Sequence, residues 1–128
     1  GHSKFISVPN NPRDWRSPKN DNLWQGVNGI NNPCPAGWRV PTSGEWETER
    51  LSWSSNNPAG AYASPLKLTL AGYRSFNGGT LVRVGDYAEY WSSTIDGSNS
   101  LELRFFDDTA YVVYAYRAHG HAVRCSKD

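Results

Sequence analysis

From Leu66 onward, apolar and polar residues alternate in short runs separated by turn residues, whereas the first third of the chain shows almost no period. Leu66, Leu68 and Leu70 alternate with Lys67 and Thr69, and further runs follow at Leu81 to Val84, Tyr90 to Thr94, Leu101 to Phe106, Ala110 to Val113 and about 119–125. Period-two alternation marks half-buried strands. Asn77-Gly78-Gly79, Asp96-Gly97-Ser98-Asn99 and Asp107-Asp108 supply turns between them. One segment has helical character. Thr42 can cap free amides, Glu45 three residues on can reach back to it, and Trp46, Arg50 and Trp53 share a face, which predicts a helix over about 43–53. Asn57-Pro58 reads as its breaker. Residues 4–33, rich in Asn, Pro and Asp, predict an irregular wrap pinned by Trp15, Leu23, Trp24 and Ile30. Trp38 to Val40 then reads as a short strand. The expected class is α+β, with one or two short helices, mixed or antiparallel twisted sheets and long ordered loops.

Composition narrows the function classes. A length of 128 residues favours one domain, 4–128, and Gly1-His2-Ser3 reads as an expression scar. A net charge of +1 offers no field to hold phosphates, which argues against a nucleic-acid partner. No run approaches the roughly 20 apolar residues of a span, so no membrane insertion is expected. With 6 Trp and 7 Tyr beside 12 Gly and 8 Pro, an aromatic core under structured loops is expected; Trp38 and Trp91 are its first candidates.

The two cysteines, Cys34 and Cys125, are either a bridge tying the terminus or two buried thiols; the bridge is favoured and would imply an oxidising compartment. Ser92, Ser93 and Thr94 lack the strained turn and adjacent base of a nucleophile. His119-Gly120-His121 could start a zinc site, but no further ligand stands at supporting spacing. Glycine-rich phosphate loops are absent. The chain is therefore expected to be no enzyme, with no metal and no cofactor.

Asn32 to Thr42, with Glu45-Trp46 after it, Leu70-Ala71-Gly72-Tyr73-Arg74, Tyr90-Trp91-Ser92-Ser93-Thr94 and Arg117 to Cys125 occur in the order in which the Fibrobacter succinogenes major paralogous domain carries similar strings. The resemblance covers roughly residues 14–128. It implies a C-type lectin-like fold, in which the termini meet in one sheet and a long excursion carries the ligand face. It further implies kinship with the variable proteins of diversity-generating retroelements, on a cell or virion surface or otherwise extracellular. Where the family usually places an apolar aromatic, this chain has His121, which leaves open whether that residue is core or surface. The calcium-binding strings of sugar-binding lectins are missing, so calcium-dependent sugar binding is not implied.

Alternation assigns the ligand face. If Leu101, Leu103 and Phe105 face the core, then Ser100, Glu102, Arg104 and Phe106 face out. Tyr111, Tyr114, Tyr116 and His119 add an aromatic cluster of the kind binding surfaces favour. By resemblance, Tyr87, Ala88 and Glu89 match a diversified spot, and Ile95, Asp96, Ser98 and Asn99 form the turn beside it. The expected partner is a protein or glycan on a target surface. The alternative is a non-diversified carbohydrate- or adhesion-related module of a bacterial surface protein. An exposed row also implies that replacing Glu102 and Arg104 together leaves stability nearly unchanged.

Overall fold

The computed structural model describes residues 4–128; the proposed scar at 1–3 lies outside the described residues. The architecture is α+β, with a few short helices and several small antiparallel sheets. β1 (Trp38–Arg39) leads into α1 (Ser43–Leu51), and α2 (Pro58–Ala63) follows. β2 (Tyr73–Arg74) pairs with β3 (Leu81–Val82). The central sheet is β4 (Tyr87–Asp96), β5 (Asn99–Phe106) and β6 (Thr109–Tyr116), and β7 (Ser126–Lys127) returns to pair with β1.

The helix start is the one its sequence announces. Thr42 Oγ1 accepts the Glu45 amide at 3.2 Å and the Glu45 carboxylate accepts the Thr42 amide at 2.8 Å, a closed capping box. Arg39 grips the same carboxylate from β1 with two bonds of 2.8 and 2.6 Å. The helix stops at Leu51, short of the expected Trp53. Trp53 nonetheless packs edge-on against Phe105, with centroids 5.7 Å apart. Asn57-Pro58, expected to break a helix, instead starts α2. Asn57 accepts the Gly60 amide at 3.0 Å, and proline at the first helical position loses no hydrogen bond. Gly60 is required there because a Cβ would stand 1.9 Å from the Ser55 carbonyl oxygen.

α1 lies against one face of the central sheet, and α2 adds Ala61 to the same core. Trp46, Ala61, Leu68, Ala88, Tyr90, Leu103, Phe105 and Ala110 form this core. Register sets Ala88 against Phe105 and Ala110, and Tyr90 against Leu103 and Val112. Leu66 to Leu70 forms no strand: Lys67 adopts φ 53°, which interrupts the extended run, and only Leu68 of the three leucines is fully buried. The run at 119–125 likewise makes bridges only at Gly120 and Ala122, which flank β2 and β4. Trp38, expected in the core, is 38% exposed, because its two-residue strand has a partner along one edge only.

A bulge interrupts the β4–β5 ladder between Trp91 and Ile95, and the Ser-Ser-Thr string serves it. Ser92 Oγ donates to the Leu101 carbonyl at 2.7 Å, the Ser93 amide donates to the Pro41 carbonyl at 2.8 Å, and Thr94 Oγ1 accepts the Ser43 amide at 2.9 Å. Backbone groups left over by a bulge need partners, and these residues connect the bulge to the start of α1. A disulfide joins Cys34 and Cys125 beside the β1–β7 pair, with Cα atoms 5.8 Å apart.

Candidate functional site

On the face of the sheet opposite the helices, register aligns Tyr87, Phe106 and Thr109 in one row, then Glu89, Arg104 and Tyr111, then Trp91, Glu102 and Val113. The division of β5 into two faces is therefore as alternation predicts. The expected exposure is not. Glu102 is 0% exposed and Glu89 only 4%. Ala88, also assigned to the ligand surface, is fully buried on the helix side. Alternation separates two faces; it does not say that the polar one meets water. Here the N-terminal wrap contributes Arg13, whose guanidinium lies 4.8 and 4.6 Å over the Phe76 and Tyr116 rings. The 120–122 segment runs alongside β4: the Ala122 amide donates to the Glu89 carbonyl and the Trp91 amide to the Ala122 carbonyl, both at 3.0 Å.

That segment inserts His121. Its side chain is fully buried and stacks on Trp91 at 4.1 Å. The ring is thus core, which answers the question its sequence position left open. Its Nε2 lies 3.1 Å from Glu89 Oε2, and its Nδ1 contacts Glu102 Oε2, but neither contact is aligned as a hydrogen bond. Arg104 Nε donates to Glu102 Oε1 at 2.8 Å and lies 3.1 Å from Glu89 Oε1. Two carboxylates and one guanidinium need one more proton to be neutral, and His121 and Glu102 compete for it. Burial pushes Glu102 up to about 8, against the pull of Arg104. Burial likewise pushes His121 down to about 4, against the carboxylate of Glu89. Both directions put the proton on Glu102. One ion pair, Arg104 with Glu89, then remains in a medium of low dielectric constant. Burial and the neighbouring Glu102 raise Glu89 as well.

The cluster predicts a pH response. Glu102 is raised above its ordinary 4.5, so its contribution is full below about 4.5 and lost as pH rises through about 8. His121 is depressed below its ordinary 6.5, so its contribution is full above about 6.5 and lost as pH falls through about 4. The two slopes oppose each other at mildly acidic pH, and above 6.5 only the first remains. Thermal melts should therefore show stability falling between pH 6.5 and 8, and Glu102→Gln should flatten that limb. A wild-type melting temperature that rises across this interval would contradict the assignment.

Glu89, Glu102 and His121 also bring ligand-type atoms within 4.8 Å of one another, a group with metal-ligand spacing. Histidine and carboxylates suit a transition metal. Arg104, however, already contacts both carboxyl groups and supplies the cation of the cluster.

The other predicted residues divide among four places. At one end of the sheet, Tyr87 stacks on Phe106 at 4.3 Å and Tyr111 stands edge-on to Phe106 at 6.2 Å. The Arg83 and Arg104 guanidiniums lie 4.6 and 5.8 Å from the Tyr87 ring. Burial raises the Tyr87 hydroxyl. Tyr116 and His119 belong to a second aromatic group with Phe76 and Tyr73, where the Phe76–His119 centroids are 4.9 Å apart and Tyr73–His119 5.5 Å. Burial and the adjacent His121 push His119 down to about 4, so it is neutral at physiological pH. Ile95, Asp96, Ser98, Asn99 and Ser100 form the far hairpin, where Gly97 at φ 58° takes the first central position of a two-residue turn. Tyr114 stands apart, 56% exposed, and by alternation on the opposite face from Tyr111. The candidates thus do not share one exposed surface.

Sequence reasoning missed Arg83, Tyr73, Phe76 and Arg13, which reach the site from other segments. Only His121 left a local signal, as a polar ring in an aromatic's place. No family model, curated protein or solved structure matches the chain.

Proposed function

We propose that this chain is a non-enzymatic ligand-binding module of C-type lectin-like fold, akin to the variable proteins of diversity-generating retroelements. It works on an extracellular, cell or virion surface. The observation that carries the reading is the aromatic and guanidinium group at the Tyr87 end of the sheet. Tyr87, Phe106 and Tyr111 are half-buried rings with few rotatable bonds, and Arg83 and Arg104 lie against Tyr87. Such a patch loses little entropy on meeting a partner, because its side chains are already placed. The meeting of β1 with β7 supports the fold assignment, since the segment between them is then the long excursion. The disulfide fits an oxidising compartment. Among the described residues, no helix is long and apolar enough to cross a membrane.

The partner is a protein or glycan displayed on a target surface. Binding to arrayed glycans and to intact target cells is expected to drop roughly tenfold or more in Phe106→Ala with Tyr111→Ala, the scale of a central aromatic anchor. Array and flow cytometry measurements check it. Undiminished binding by a folded double variant would remove this patch from the interface. The coding locus tests the retroelement reading separately. A near-copy of the C-terminal coding segment should lie beside a reverse transcriptase gene, differing at codons such as those of Tyr87, Ile95, Phe106 and Tyr111. A locus with neither would end it.

A further inference from the structure

At the opposite end of the central sheet, the N-terminal wrap and the β4–β5 hairpin border an open cleft. Trp15, Leu23 and Trp24 line it from the wrap, and Trp91, Ile95 and Ser100 from the sheet. Tyr87 begins β4, and the cleft's wall residues Trp91 and Ile95 lie about 13 and 26 Å further along the strand, so the cleft is distinct from the aromatic patch described above.

The indoles are presented on fixed backbone. Trp15 remains 44% exposed although its neighbours are tied down. Asp14 is buried and accepts the Arg16 amide at 2.9 Å, and the Ala118 amide donates to the Arg13 carbonyl at 2.8 Å. Trp24 adopts φ 63°, a left-handed conformation that disfavours a side chain of its size. That corner is held by the Trp24 amide on the Ile30 carbonyl at 2.9 Å and by Gln25 Nε2 on the Ser93 carbonyl at 2.7 Å. Strain locked in place beside a cleft suggests a site.

The charges of the cleft are internally balanced. Arg117 lies 3.5 Å from Asp14 and 2.7 Å from Asp21, and Lys19 reaches Asp21 at 2.8 Å. Two carboxylates meet two cations, so no net charge remains to select an ion. What remains is apolar ring surface beside fixed hydrogen-bonding groups. A pyranose has this character in reverse: a C–H face that lies on an indole, and an edge of hydroxyls that bond to carboxylates, guanidinium and amides. We infer that the cleft between the N-terminal wrap and the β4–β5 hairpin binds a neutral saccharide, with Trp15 and Trp24 as its stacking surfaces. This site goes beyond the module's proposed ligand patch and does not depend on it.

Isothermal titration and indole N–H NMR shifts with neutral methyl pyranosides and their oligomers test the inference. The panel covers the gluco, galacto, manno and N-acetylglucosamine series. At least one sugar should bind saturably and without dependence on salt, since no charge pairs form. Trp15→Ala should weaken that binding about tenfold or more, the scale of an aromatic anchor. Ser100→Trp, which fills the cleft from the other wall, should abolish it, and Tyr111→Ala should leave it intact. Absence of shifts for the whole panel, equal affinity in folded Trp15→Ala and Ser100→Trp, or preference for tetramethylammonium or an acidic sugar would each overturn it.

Discussion

Replacing Arg104 with methionine is expected to destabilise the protein by about 3–5 kcal/mol, the usual consequence of removing one partner from a buried ion pair. The guanidinium contacts both Glu89 and Glu102. Desolvation works against its own charge, yet the two carboxylates more than offset this and hold it protonated. Without it Glu89 must take up a proton or stay charged without a counterion, beside a Glu102 that already holds its proton. Glu102→Gln should cost much less, because the side chain stays polar and similar in size and the demand for an extra proton disappears. Urea unfolding at pH 7 with both variants separates the cases. A loss below about 1 kcal/mol for Arg104→Met would mean that water reaches the cluster and screens it. This expectation reverses the one drawn from alternation alone, which puts Glu102 and Arg104 on an exposed row.

The second large effect is covalent. Cys34→Ser with Cys125→Ser opens a ring spanning 91 positions. In the chain-entropy account this costs about 4–5 kcal/mol, because the unfolded chain regains the freedom that the crosslink removed. Melting of the double variant, or of the wild type under reductant, measures it. A change in melting temperature of only a degree or two would show that the β1–β7 pairing and the wrap hold the ends without help.

What could be read in advance was local. The α1 start is written in Thr42 and Glu45, whose bonds join residues three apart. The hairpin turn at Gly97-Ser98 is equally local, since Gly97 satisfies the positive φ by itself. α2 went unseen because Asn57-Pro58 is ambiguous: the pair ends one helix or begins the next, and only the packing of Gly60 and Ala61 decides. The burial of Glu102 was illegible for a different reason. Its cover comes from His121 on the segment beside β4, and Arg13 of the wrap roofs the aromatic group next to it. No period within β5 encodes either. The Trp-lined cleft is also nonlocal, formed where residues near 15–25 meet β4 and β5. Its indoles look like core residues in a sequence rich in tryptophan.

The closed ring between Cys34 and Cys125 also bears on mechanics. When the chain is pulled from its two ends, the crosslink carries the load past the sheet, and only the stretches before Cys34 and after Cys125 can be drawn out as slack. The sheet that carries both the aromatic patch and the hairpin wall lies inside the ring. Load applied between the ends therefore bypasses the sheet, while Trp15 and Trp24, which precede Cys34, stand in the part that can extend.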